Sequence, residues 1–433
     1  MTELRTFVDG LPMVDVHEHH FAGVVDAPEV DLLRIFSESY AAWTRRRTFA
    51  LPSEPPMLPD PPSAPTSWDA LAPYLMASGS NSFVRNLVRS VTQLYGEGER
   101  SITPDNWQRL DAQVRAQHAR PGGWLEILDR AQVSRVITDP YVDPMIDAHT
   151  AISDRHLSVL RINAFACGWN PEAKDHNGTC AFEILGRLGA RPQSFDDYVD
   201  LLDSLVIQAR GRHQVALKNA LAYDRHLDFD APQVEAARAA WGKVSPSTEE
   251  QKAFSDFVVD RFCRLAAEHD LPMQMHLGSA IIRGSHPMNV AGLVERHPRT
   301  RFLLMHLAYP WARDLLGMAL IYRNVWIDLC WAPLLSPTLF KATLHEAIEV
   351  LPDEGRMMIG GDNWHVEETY GAMTLARSIL GEVLEEKVAG GYFTATDARR
   401  LAPKILSDNA NQLFDLHGGS NLAQPASGDV PSQ

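Results

Sequence analysis

The sequence predicts an α/β protein, a (β/α)8 TIM-type barrel with a long, mostly helical insertion after its first strand. Two observations carry this prediction. From residue 123 onward, short apolar segments alternate with helical segments, and the segment that starts at residue 13 brings the number of apolar segments to eight. Alternating strands and helices build a parallel sheet, and eight such strands favour a closed barrel. A doubly wound open sheet is the alternative fold.

The predicted strands are short and apolar, and they share no common sequence. In chain order they lie within MVDVHEHHF (13–21), VSRVITDPY (133–141), LSVLRINAFACG (157–168), HQVALKNALAY (213–223), LPMQMHLG (271–278), TRFLLMHLAYP (300–310), NVWIDLCWAP (324–333) and RMMIGGD (356–362). The predicted helices between them show apolar residues at helical spacing. They are 123–132, 195–210, 249–270, 287–298 and 343–352.

The remaining segments are interpreted as parts of one domain, residues 1–417. Residues 21–122 form the insertion, which looks helical at VDLLRIFSESYAAW and SFVRNLVRSVTQLYG. Its proline-rich stretch at 51–65 fits neither a helix nor a central strand. Residues 418–433 have the composition of a disordered tail.

Composition excludes several classes of function. A net charge of −15 argues against a nucleic-acid partner, because phosphate binding needs a basic face. No apolar run approaches a membrane span of about 20 residues, and no secretory signal precedes the first strand. The four cysteines show no CxxC pattern, which indicates reduced thiols. We therefore expect a cytoplasmic protein with a small-molecule substrate. Whether the chain forms a homo-oligomer stays open. Phosphate-loop, dinucleotide-binding and nucleophile-elbow motifs are absent from the sequence.

Ionisable residues end strand after strand of the predicted barrel. They are His17 and His19, Lys218, His276, His306 and Asp362. The carboxyl ends of barrel strands meet on one face, which carries the active site. Residues i and i+2 of a strand point the same way, so the first two histidines could hold one ion between them, with Glu18 facing the helices. Imidazole and carboxylate ligands with open positions are typical of catalytic zinc sites. Each of these residues, taken alone, could equally be a core or surface residue.

Further residues after strand ends are weaker candidates. Tyr223, Arg225 and Arg283 could bind an anionic substrate, although exposed arginines without a role are as common. Trp331 and Trp364 could wall an apolar pocket, although packing explains them equally well.

These motifs resemble those of the amidohydrolase superfamily of metal-dependent barrel enzymes. The resemblance rests on VDVHEHH, LPMQMHLG, FLLMHLAYP, VWIDLCWAP and MMIGGDNWHVEETYGA, and it covers about residues 12–416. It is strongest to the amidohydrolase-related branch. RIFSES, VTQLYG and LKNALAYDRHLDF resemble the domain that is fused to glutamine-synthetase-like proteins. MQMHLGSAIIRG and the long insertion also resemble the uronate isomerases.

The resemblance implies roles for the residues that end the strands. His17, His19 and His276 would be metal ligands, and Asp362 would be both a ligand and the proton carrier. His306 matches a histidine that binds a second metal in some members and contacts substrate as an acid or base in others. Lys218 matches the place of a lysine that is carboxylated in binuclear members. The ion would be Zn²⁺, with Mn²⁺ as the alternative, and we expect one ion rather than two.

The sequence thus predicts a metal-dependent hydrolase that acts on an amide, ester or lactone bond of a small, carboxylate-bearing molecule. Three alternatives stay open. They are nonoxidative decarboxylation of an aromatic or unsaturated acid, isomerisation of a sugar acid as in the uronate isomerases, and a non-catalytic barrel that serves as a scaffold.

Overall fold

The predicted barrel is confirmed in a computed structural model, which describes residues 2–45, 67–77, 79–141 and 143–416. Eight parallel strands form one sheet and follow one another in chain order. They are β1 (Met13–Glu18), β2 (Val133–Thr138), β3 (His156–Arg161), β4 (Gln214–Asn219), β5 (Met273–Met275), β6 (Phe302–Leu304), β7 (Val325–Asp328) and β8 (Met357–Met358). Backbone bonds beyond the last strand close the barrel: Val16 N donates to Ile359 O at 3.2 Å, and Gly361 N donates to His17 O at 3.1 Å.

Helices surround the sheet. They are α1 (Glu3–Asp9), α2 (Leu32–Glu38), α3 (Trp68–Ala77), α4 (Ser82–Tyr95), α5 (Trp107–His118), α6 (Gly123–Ala131), α7 (Ala148–Ala151), α8 (Asn163–Ala166), α9 (Ala181–Arg187), α10 (Phe195–Arg210), α11 (Val234–Ala240), α12 (Thr248–Glu268), α13 (Ala291–Arg296), α14 (Ala312–Ile321), α15 (Ala332–Leu335), α16 (Pro337–Val350), α17 (Val366–Ala389), α18 (Ala395–Pro403) and α19 (Asn409–Leu413). In the described ranges, no helix has both the length and the apolar character needed to cross a membrane.

The barrel interior is a packed apolar layer beneath the site. Its strand residues are Val14, Val16, Ile137, Val159, Ala216, Leu303 and Met358. Leu413 and Phe414, at the end of the described chain, close this layer from below. The polar residues at the strand ends therefore lie above this apolar layer, on the carboxyl-terminal face that carries the active site in TIM-type barrels.

Some predicted elements differ from the structure in their bounds or type. The segment 157–168 is a strand only as far as Arg161, and α8 follows. The side chain of Asn163 explains the change, because it accepts from Ala220 N at 2.9 Å and donates to Asp224 at 2.7 Å. The predicted helix 287–298 begins as a 3-10 turn, Pro287–Val290, before α13. The proline-rich stretch 51–65 and the tail 418–433 lie outside the described residues.

The segment between β1 and β2 is tied to the barrel through a buried carboxylate. Glu367 of α17 accepts from Tyr95 of α4 at 2.6 Å and lies 2.8 Å from His118 of α5. Burial alone would raise the pKa of Glu367, but His118 and Tyr95 lower that pKa to about 2. These contacts hold α4 and α5 against α17. The 3-10 turn Tyr40–Arg45, which follows α2, packs against α4, where the ring centroids of Tyr40 and Phe83 lie 5.3 Å apart.

Candidate metal centre

The first strand carries one extra residue at its end, which brings two histidines into the mouth of the barrel. Asp15 pairs with Val136 and Glu18 with Thr138, so Val16 and His17 together lie opposite one residue of β2. This is the arrangement of a β-bulge. Val16 still fills the apolar layer, while His17 turns toward the mouth.

The side chain of Glu18 points outward, as the sequence predicts. It accepts a hydrogen bond from Thr369 of α17 at 2.8 Å.

Asp362 joins the two histidines of β1. Its Oδ1 atom lies 3.2 Å from His17 Nε2 and 3.0 Å from His19 Nε2. Its Oδ2 atom accepts a hydrogen bond from the Tyr40 hydroxyl at 2.6 Å. Asp362 has φ 67°, in the left-handed region that non-glycine residues rarely adopt. The backbone after β8 therefore turns sharply to aim this carboxylate at the histidines.

His306 and His276 complete the group from the opposite side. The ring centroids of these two histidines are 4.4 Å apart, and that of His306 is 5.8 Å from that of His17. Ligand atoms of His17, His306 and Asp362 lie within 4.8 Å of one another, as do those of His17, His19 and Asp139. Neither of these groups includes His276, so its role as a ligand stays a prediction.

The protonation states suit metal ligands. Burial lowers the pKa of His17 and of His276 well below the usual value, and it lowers the pKa of His306 to about 4. These imidazoles are therefore neutral near pH 7, which is the form that binds metals. Burial would raise the pKa of Asp362, but the contacts with His17 and His19 hold it well below its usual value. Asp362 is therefore an anion.

A contact between two acceptors indicates that a cation belongs at this site. His19 Nδ1 lies 3.1 Å from the carbonyl oxygen of Asp139, which can only accept, so this nitrogen carries the proton of a neutral ring. His19 Nε2 then turns a lone pair toward Asp362 Oδ1 at 3.0 Å. Two lone pairs repel each other at this distance unless a second proton or a metal ion lies between the two atoms.

An unpartnered nitrogen atom points to the same conclusion. His276 Nε2 is buried without a hydrogen-bond partner among the described residues. Buried polar atoms are normally satisfied. The donor set of imidazoles and a carboxylate therefore fits a divalent ion.

Lys218 reaches the same centre. It is 1% exposed, and its Nζ atom lies 3.4 Å from His17 Nε2 and 2.8 Å from Met305 Sδ. Burial lowers its pKa. The side chain of Lys218 therefore faces the mouth of the barrel and is not a surface residue.

Aromatic residues wall the mouth. Trp364 stacks on His19 with ring centroids 5.7 Å apart, and the ring of Trp331 lies 6.3 Å from that of His306. The ring of Tyr223 lies 4.5 Å from that of His276. These three residues, which the sequence offered only as weak candidates, thus contact the histidine group directly.

The two arginines predicted from the sequence, Arg225 and Arg283, do not lie at the candidate metal centre. The Arg225 guanidinium pairs with Asp256 of α12 at 2.7 Å and also donates to backbone carbonyls, which occupy its donors. Arg283 is exposed, on the 3-10 turn Ile282–Gly284. Both follow strand ends, but the loops carry their side chains away from the mouth.

Residues that sequence reasoning missed lie in the same mouth. Asp139 follows β2, and Arg161 ends β3; Arg161 Nη1 donates to Asp139 Oδ2 at 2.5 Å. Tyr141 stacks on His19 with centroids 4.2 Å apart. Asp139 and Arg161 carried a usable signal, because each is a charged residue at the end of a predicted strand. Tyr40 had none, since it lies far from every strand.

Comparisons with known proteins are consistent with this geometry. Residues 205–416 match the family model described as Amidohydrolase. Protein fluG of Emericella nidulans is 28% identical over 196 residues, which are 43% of this chain and 22% of that protein. The chain thus aligns with about a fifth of this curated relative.

Two solved structures share the fold over nearly the whole chain. A glucuronate isomerase from Caulobacter crescentus superposes with a TM-score of 0.76 at 16% identity, covering 98% of this chain and 95% of its own. A presumed metal-dependent hydrolase from Lactobacillus casei gives a TM-score of 0.68 at 14% identity, with 96% and 98% covered. At these identities the likeness shows the fold alone.

Proposed function

We propose that this chain, whose residues 205–416 belong to the amidohydrolase family, is a metal-dependent hydrolase of a small molecule that carries a carboxylate. The observation that carries the proposal is the contact of Asp362 Oδ1 with two imidazoles, at 3.2 and 3.0 Å. One of these contacts, that of His19 Nε2, needs either a second proton or a metal ion between the two atoms. A buried arrangement of this kind on the carboxyl-terminal face of a barrel is expected of a metal site.

His17, His19 and Asp362 would hold the ion, with His306 and His276 beside them. A divalent ion at this position would act as a Lewis acid toward water and toward the carbonyl oxygen of the substrate. Mixed histidine and carboxylate ligands favour Zn²⁺, with Mn²⁺ as the alternative. Lys218 Nζ lies 3.4 Å from His17 Nε2 without a bridging group, and a second ion at this place would require the lysine to become an anionic carbamate, so we propose one ion.

The protein's own groups supply the proton transfer. Asp362 is ionised at neutral pH and would take the proton of the attacking water and deliver it to the leaving group. The Tyr40 hydroxyl, at 2.6 Å from Oδ2, leaves Oδ1 as the basic atom. His306, which is neutral and lies beside His17 and His276, would contact the substrate.

Isomerisation of a sugar acid is the second candidate. It is supported by the likeness to the Caulobacter crescentus glucuronate isomerase over 98% of this chain. In that reaction the carboxylate of Asp362 would move a proton between neighbouring carbons of the substrate, instead of taking it from water.

A mass balance separates the two reactions. The protein, loaded with Zn²⁺ or with Mn²⁺, is incubated with N-acyl amino acids, carboxylated lactones and uronates. The molecular masses of the products are then measured by mass spectrometry. Hydrolysis adds one water, whereas isomerisation leaves the mass unchanged. We expect a gain of water that Asp362→Asn reduces by about 10²- to 10⁴-fold, with the fold preserved by circular dichroism. Interconversion of uronates without hydrolysis would instead establish the second candidate. No reaction with either ion would contradict both.

A further inference from the structure

We propose that Arg161, at the carboxyl end of β3, holds the carboxylate of the substrate, so that the site takes small carboxylic acids with their anionic end at the carboxyl ends of β2 to β4. This inference rests on the proposed function, since it names the part of the substrate that the site recognises. It assigns a binding role to a residue that lies outside the group of candidate metal ligands.

The position of Arg161 in the strand directs its side chain into the mouth. Val159, two residues earlier, belongs to the apolar layer inside the barrel. Residues i and i+2 of a strand share a face. In the β3–β4 register Arg161 lies opposite Lys218, whose Nζ atom is among the histidines. Arg161 and Lys218 therefore form adjacent positions of one inward-facing ring of side chains.

The guanidinium has a donor that the protein does not use. Nη1 donates to Asp139 at 2.5 Å, and Nη2 lies 3.3 Å from His176 Nε2. His176 Nδ1 lies 2.9 Å from Asp224, which leaves Nε2 free to accept from Arg161. Arg161 Nε is buried and has no hydrogen-bond partner among the described residues. Arginine binds carboxylates through two donors at once, and one such donor is still available here.

Cations outnumber their partners on this side of the mouth. Arg161 has one close carboxylate, that of Asp139. Within the described residues, no carboxylate oxygen lies within 4.0 Å of Lys218 Nζ, which contacts only His17 and Met305. A buried cation without a counter-ion is costly. In the protein without the ion, an anionic ligand at this position would therefore interact with both cations, and with the ion bound it would still interact with Arg161.

Partly exposed residues surround this position. Arg161 is 3% exposed, whereas its neighbours Tyr141 and His176, and Tyr223 beside His176, are half-buried. The guanidinium lies 5.3 Å from the ring centroid of Tyr141. The same tyrosine ring stacks on His19. The anion position is therefore separated from the candidate metal ligands by about one aromatic ring, which is the reach of a small molecule.

The test compares two probes of the same size, benzoate and benzamide, by isothermal titration calorimetry. Binding is measured on metal-loaded and on chelated protein, for the wild type, Arg161→Met and Arg161→Lys. We expect the wild type to prefer benzoate, and Arg161→Met to weaken benzoate binding about ten- to a hundredfold in both forms, without changing benzamide binding. Arg161→Lys should retain part of the preference, because it keeps a charge but not the paired donors.

Arg225→Met is the matched control, because it removes an arginine that also pairs with an aspartate but lies away from the mouth. It should bind benzoate as the wild type does. Arg161→Met leaves Asp139 without its partner, so the double variant Arg161→Met/Asp139→Asn is measured as well, and thermal unfolding checks the fold of each variant. Benzoate binding that is equal in the wild type and in both folded variants would assign Arg161 to the internal ion pair alone and overturn the proposal.

The result of this binding test can be distinguished from the result of the test of the proposed function. If the hydrolysis panel yields no reaction but the preference for benzoate depends on Arg161, the carboxylate subsite stands and hydrolysis is refuted. If hydrolysis is observed while Arg161→Met binds benzoate normally, the reverse conclusion holds.

Discussion

Replacing Lys218 by Met tests how the metal centre tolerates a cation. An ion bound to His17 Nε2 at about 2 Å lies no more than about 5.4 Å from Lys218 Nζ, because Nζ and Nε2 are 3.4 Å apart. At an effective dielectric constant of about 20, a divalent ion and an ammonium at that distance repel each other by about 6 kcal/mol. Burial already lowers the pKa of this lysine. The wild type should therefore release the lysine proton when the ion binds.

The assay is calorimetric titration with Zn²⁺ in two buffers of different ionisation enthalpy, which counts the protons released. Lys218→Met should bind one ion per chain at least tenfold more tightly than the wild type at pH 7 and release about one proton fewer. The difference should shrink as the pH rises, because the wild-type lysine then loses its charge without the ion. Lys174→Met, which removes an exposed lysine, is the control. Two ions in the wild type and fewer in Lys218→Met would refute this reasoning and indicate a carboxylated lysine that bridges two metals.

Three further predictions concern single side chains. His306→Asn should lower kcat by about 10²- to 10⁴-fold with unchanged metal content, whereas unchanged kinetics would make His306 a core residue. Tyr40→Phe removes a hydrogen bond to the charged form of Asp362 and should move the acidic limb of the pH–rate profile upward by about one to two pH units; an unmoved limb would show that this bond does not tune the carboxylate. Burial, with a smaller effect of Arg155, lowers the pKa of His156 to about 3. As the pH falls, His156 is therefore protonated in the unfolded chain before it is protonated in the folded protein. The free energy of unfolding decreases as the pH falls below 6.5. His156→Gln should remove about 2 kcal/mol of the stability loss between pH 7 and pH 5, as measured by urea unfolding, and parallel profiles would contradict this.

Much of the site could be predicted because barrel topology converts position in the sequence into position in space. The segments that end in His17, Lys218 and Asp362 are far apart in the chain, yet each ends a parallel strand. Counting strands was enough to bring these ends to one face. The spacing of His17 and His19 also directed both side chains to the same carboxylate.

The residues that were missed depend on contacts that no local pattern encodes. Tyr40 follows α2 and reaches Asp362 across a tertiary contact. Arg225 and Arg283 were weaker candidates for binding an anionic substrate, since both follow strand ends. We instead propose Arg161, a strand residue, because Arg225 pairs with Asp256 of α12 and Arg283 is exposed.

The left-handed backbone of the site has a consequence for engineering this protein. Asp362 has φ 67° and His306 has φ 60°. Each of these conformations costs on the order of 1–3 kcal/mol in a residue other than glycine. Glycine relieves that cost, so a library screened for heat resistance alone would accumulate glycine at these two positions and lose two of the candidate catalytic side chains. Directed evolution of this barrel therefore needs selection for the proposed turnover in every round, alongside selection for heat resistance.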